Sequence, residues 1–108
     1  MTLFNWETTL NMQRELHQKY EKQWGSLSYH NGRDQLLWMT IEAMEMADII
    51  KKDKDEKILN DPDVRRHFIE EMCDTLMYLN DVMLCYEITP QELAAVYLDK
   101  HQRNMQRW

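Results

Sequence analysis

Residues 34–51, DQLLWMTIEAMEMADIIK, and residues 61–86, DPDVRRHFIEEMCDTLMYLNDVMLCY, decide the fold of this chain. In both stretches apolar residues recur every three or four positions, the spacing of a helix with one buried face. Asp34 offers the first an N-cap. Asp61-Pro62 gives the second an N-cap followed by proline at the first helical position, where the missing N–H costs nothing. Between them KKDKDEKILND (51–61) reads as a charged connection or frayed helix end, with Lys51, Lys52, Lys54 and Lys57 in water. Upstream, Leu3, Trp6, Leu10, Gln13, Leu16, Tyr20 and Trp24 fall near one helical face and predict a helix from about Thr2 to Trp24. Gly25 to Gly32 (GSLSYHNG) holds both glycines and reads as a loop. Downstream, Thr89-Pro90-Gln91-Glu92 is a capping box that opens a last helix towards Arg107. The expected architecture is all-α: one domain over residues 1–108, four helices, the second and third antiparallel.

Composition narrows the function. With 2 Gly and 2 Pro in 108 residues, a turn-rich β fold is excluded and no glycine-rich phosphate loop exists. A net charge of −6 argues against duplex nucleic acid as a partner. No apolar run approaches the ~20 residues of a membrane span, and the N-terminus lacks a signal-peptide core. Cys73 and Cys85 form no CxxC and read as reduced thiols, so the expected compartment is the cytoplasm. His17, His30, His67 and His101 are scattered without the spacing of a zinc site.

The anomaly lies in where certain acids fall. Trp38, Glu42, Glu45 and Ile49 share one stripe of the second helix. His67, Glu71, Asp74, Tyr78, Asp81 and Cys85 share one stripe of the third. If these helices pack together, Glu42, Glu45, Glu71 and Asp74 converge. Like charges gathered without a cation raise one another's pKa values and cost stability. A divalent cation resolves the conflict, and all-oxygen ligands favour Mg²⁺ or Mn²⁺ over zinc or copper. A di-iron bundle needs Glu-x-x-His on two helices, which is missing. In the last helix Lys100, Asn104 and Arg107 share a stripe suited to phosphate oxygens, although basic residues there also complement the helix dipole. Met39, Met44, Met46, Met72, Met77 and Met83 read as core filler.

Glu42-Ala-Met-Glu45 followed by Glu71-Met-Cys-Asp74 resembles the ExxE…ExxD signature of the all-α nucleoside triphosphate pyrophosphatases, the MazG-like enzymes, dCTP pyrophosphatases and dimeric dUTPases. EAMEMADIIKK (42–52) and EEMCDTLMYLNDVMLCYEITPQEL (70–93) are similar to the MazG-like helix pair and its following turn. Tyr97-x-x-Lys100-x-x-x-Asn104-x-x-Arg107 is similar to the phosphate-contacting end of the dimeric dUTPases. The connection after the second helix lacks that group's aromatic segment, so the resemblance is closer to a MazG-like or dCTPase-like module. It implies a Mg²⁺-dependent hydrolase that splits a nucleoside triphosphate into the monophosphate and pyrophosphate. Glu42, Glu45, Glu71 and Asp74 would be metal ligands, Lys100, Asn104 and Arg107 would hold phosphate, and Tyr78, Gln13 and Trp6 would border the base. The alternative is a non-catalytic helical interaction module with a structural or silent acid cluster. Size adds one expectation. Apolar residues on the first helix, and Phe68, Met72, Leu76, Leu79 and Met83 beside the acid stripe, ask for a neighbour on each side. A homodimer, or a homotetramer built from two, supplies them.

Overall fold

A computed structural model describes residues 3–108, apart from the side chains of Asp53 and Lys54. Among the described residues every regular element is helical: α1 (Trp6–Lys19), α2 (Glu21–Trp24), a 3₁₀ turn (Tyr29–Asn31), α3 (Gly32–Asn60), α4 (Pro62–Cys85) and α5 (Pro90–Arg107). None of these helices is long and apolar enough to cross a membrane.

The predicted first helix is shorter and broken. Thr2 lies outside the described residues, and Leu3 to Asn5 precede the helix. Asn5 caps it, its side-chain oxygen accepting the Thr8 N–H at 2.8 Å. Tyr20 interrupts the helix before the single turn of α2, which Gly25 ends at φ 77, a backbone conformation that favours glycine. The loop then tightens into the 3₁₀ turn, capped reciprocally by Ser28 and Asn31, and runs straight into α3 at Gly32 rather than Asp34. Gly32 has ordinary helical φ; its lack of a side chain matters because a Cβ there would strike the Tyr86 ring.

The charged connection predicted after Lys51 is helix as far as Asn60. Its Lys, Glu, Ile and Leu are helix-tolerant, and no breaker occurs before Asp61-Pro62. Lys52 also pairs with Asp48 one turn back at 2.9 Å. Asp61 alone separates α3 from α4, and its carboxylate accepts the Asp63 and Val64 N–H groups. Three meetings along the pair set its direction. Ile58 meets Arg65 near the turn, Glu42 meets Glu71 and Asp74 midway, and Gly32 meets Tyr86 at the far end. The hairpin is antiparallel, as the sequence predicts.

α1 lies against the last turns of α4. Trp6, Leu10, Gln13 and His17 (i, i+4, i+7, i+11) face that way. Leu10, Met83 and Cys85 are each 3% exposed and form the core there, with Ile49 the buried apolar residue of α3. The two cysteines are free, Cys73 exposed and Cys85 buried. α4 ends in a Schellman turn in which Ile88 N–H donates to the Met83 carbonyl at 2.9 Å. Glu87 occupies its left-handed position at φ 56, where glycine is usual. α5 then opens on the Thr89–Glu92 capping box and packs on α1 alone among the described elements.

This core is small. Met83 is buried, but Met44, Met72 and Met77, predicted to fill the core, are exposed. So are Trp38 and Ile41 on α3 and Val96, Tyr97, Leu98 and Met105 on α5. Each such side chain forgoes part of the roughly 1.5–3 kcal/mol that full burial of a large apolar side chain supplies.

Candidate functional site

Helical spacing brings Glu71 and Asp74 to one face of α4, and the antiparallel hairpin brings Glu42 of α3 opposite them. One ligand oxygen from each lies within 4.8 Å of the other two. Glu45, one turn along α3, is exposed and stands outside this trio. The four-carboxylate convergence expected from the sequence is therefore three, because Glu45 sits farther round α3 from α4.

The trio is electrostatically loaded. Partial removal from water holds Glu42 above the usual carboxylate range, helped by a hydrogen bond with Glu71 and by the charges of Asp74, Glu71 and Glu45. Asp74 is raised the same way, by loss of water and then by Glu71 and Glu70. His67 of the same helix brings its Nε2 within 3.3 Å of Glu71. Three carboxylate oxygens at this separation suit a hard divalent cation better than zinc or copper.

The sign of the pH dependence follows. A carboxyl raised in the folded state binds protons there more tightly than in the unfolded chain. Between the usual carboxylate range and the raised value the folded state carries more protons, so stability falls as pH rises through that window. In chelator the melting temperature should rise on mild acidification from neutral pH, and a Glu42→Gln, Asp74→Asn variant should show a flatter profile. An unchanged slope in the double variant would mean the trio is fully solvated. Asp81, raised by burial but pulled back by Gln13 and His17, adds slope of the same sign in both proteins.

Beside Asp74 a cavity of about 330 Å³ opens between α1, α3 and α4. Gln13, His17, Trp24, Gln35, Tyr78 and Asp81 contribute to its walls. Tyr78 is thus one turn from Asp74, and its hydroxyl pKa is raised by burial and by the charges of Glu42, Asp81 and Asp74. Gln13 is 7% exposed and its Nε2 donates to Asp81 Oδ1 at 2.8 Å. Trp6 is not part of this cavity. Its indole N–H donates to the Met83 sulfur at 3.1 Å, and it lines a separate apolar groove with Phe4, Met12 and Leu76. Nor does one chain bring Lys100, Asn104 and Arg107 to the acids. They lie on α5, which touches neither α3 nor α4, with Arg107 5.0 Å from the ring of Trp108.

Asp81, which anchors α1, and His17, Trp24 and Gln35 beside it are not singled out as site residues by the sequence. Asp81 does lie on the acid stripe at i+7 from Asp74, and His17 at i+4 from Gln13. That pairing across the two stripes was the available signal. No family model, curated protein or solved structure matches the chain. The geometry of the site therefore carries the functional reading.

Proposed function

We propose that the chain is a divalent-cation-dependent nucleoside triphosphate pyrophosphohydrolase, releasing the monophosphate and pyrophosphate in nucleotide housecleaning or pool control. One observation carries this reading: three carboxylates from two helices gather within 4.8 Å, directly beside a cavity partly walled by aromatic rings. Glu42, Glu71 and Asp74 would hold Mg²⁺ or Mn²⁺, with Glu45 next to them. The bound ion supplies charge neutralisation for a polyphosphate chain and a more acidic water. An acidic site has no use for an anionic substrate otherwise. Tyr78 and Gln13 then border the base, and the ExxE…ExxD spacing supports the same chemistry. The test is Mg²⁺-dependent pyrophosphate release across a panel of common nucleoside triphosphates. Release of orthophosphate alone, or of nothing, would remove the reading.

Phosphate contacts from Lys100, Asn104 and Arg107 then require a second copy, whose α5 reaches the acids of the first. The apolar faces of α3, α4 and α5 support such a homodimer, or a tetramer of two. Light scattering at micromolar concentration should give at least twice the chain mass. Arg107→Ala should weaken triphosphate turnover about ten- to hundred-fold. Mixing Arg107→Ala with Glu71→Gln chains should restore part of the activity, because a mixed dimer holds one intact site. Activity in a lone chain would defeat the shared site. The same exposed faces favour the second reading, a helical interaction module, and dimerisation without pyrophosphate release would support it.

A further inference from the structure

We infer that α4 carries a self-association surface of its own, separate from the reach of α5, on which two copies pair about a two-fold axis close to Cys73. Ile69, Met72, Cys73 and Leu76 fall at i, i+3, i+4 and i+7 and so share one face of α4. The helical repeat sets this face roughly opposite that of Glu71 and Asp74. Pairing there leaves the acids open and rests on no part of the hydrolase reading.

The face has two unlike ends. Ile69 and Met72, 43% and 42% exposed, form a ridge ahead of the turns that α1 meets. Further along, Cys73, Leu76 and Met77 floor an apolar groove of about 470 Å³, walled from α1 by Trp6 and Met12. A two-fold rotation that reverses α4 exchanges these ends. Each copy's ridge then enters the other's groove, the self-complementarity that an isologous contact demands. Cys73 stands where ridge and groove join, so it comes to lie near its counterpart. Arg66 and Glu70 at the edge of the ridge pair with each other at 3.0 Å, so the contact brings in no lone charge from them.

The area suits such a contact. The chain exposes 8891 Å² at a mass of 13.3 kDa, whereas a folded monomer of that mass exposes about 6,500 Å². The surplus, roughly 2,400 Å², exceeds the ~800 Å² that each partner hides in a standard interface. It covers this contact and that of α5 together.

The test uses the full chain in chelator at micromolar concentration, so metal and turnover play no part. Cys73 is exposed and Cys85 buried. A short bismaleimide that bridges the about 8–10 Å between packed helices should join two chains at a rate independent of chain concentration. Cys73→Ser should abolish the product. Met72→Glu puts a charge into each ridge, and it should remove the product and halve the mass seen by light scattering. Circular dichroism checks that this variant folds; if it does not, the concentration dependence in the unmodified chain decides alone. Crosslinking that slows on dilution, a product that survives Met72→Glu, or an unchanged mass in that variant would overturn the inference. Concentration-independent crosslinking without pyrophosphate release supports the pairing and removes the hydrolase. Pyrophosphate release with crosslinking that slows on dilution does the reverse.

Discussion

Glu71→Gln should lower Mg²⁺-dependent pyrophosphate release by on the order of 100-fold or more while leaving helicity unchanged. Glu71 is the hub of the acid trio: an oxygen of it lies within 4.8 Å of one from Glu42 and one from Asp74, it raises the pKa of both, and it sits 3.3 Å from His67. The carboxamide keeps the shape and removes the charge that would hold the ion. Losing even an outer-shell partner of a metal ligand typically costs 10–100-fold, so a ligand itself should cost at least about that. A second readout does not depend on turnover. Ligand at 100 times its Kd stabilises a fold by about 2.7 kcal/mol, so Mg²⁺ should raise the melting temperature of the unmodified chain and not of the variant. Full activity in Glu71→Gln, or in excess chelator, would sink the metal assignment.

The largest loss of stability should come from Asp81→Ala. Asp81 is 3% exposed and takes hydrogen bonds from Gln13 and His17, the main polar ties between α1 and α4. Truncation leaves the Gln13 and His17 side chains without that partner, and each buried polar group left unsatisfied costs about 1–3 kcal/mol. Small domains have only about 5–15 kcal/mol in total, so urea unfolding should show a large drop. A change under about 1 kcal/mol would mean that apolar contacts at Leu10 and Met83 hold α1 by themselves.

The fold was legible where caps and period agreed. Asp61-Pro62 and the Thr89–Glu92 box mark real helix starts, and the facing stripes of α3 and α4 follow from the 3.6-residue repeat. It was not legible where charge stood in for structure. Residues 51–60 look like a linker because they are polar, yet an exposed helix face has the same composition. Within the site, three of the four acids meet and Tyr78 lies beside them, whereas Glu45 and Trp6 do not join. Sequence periodicity places a residue on a face but not at a depth. That is why Asp81, on the same stripe as Glu71 and Asp74, reads alike in sequence and yet is an internal anchor.

The one-residue joint at Asp61 also bears on how quickly each half of the molecule is assembled. α3 and α4 are neighbours in the chain, so their hairpin closes through a minimal loop and can zip from the joint towards Glu42, Glu71 and Asp74. Contacts of this local kind form fast. α1 must instead be carried across 64 to 77 residues to seat His17, Gln13 and Trp6 on α4, each closure paid in chain entropy before any contact is returned. The acid trio is therefore expected to meet early, in an intermediate made of the hairpin alone, and the cavity beside Asp74 to close last. A cation present during refolding would then act on the first of these events and speed it, leaving the arrival of α1 as the slow step.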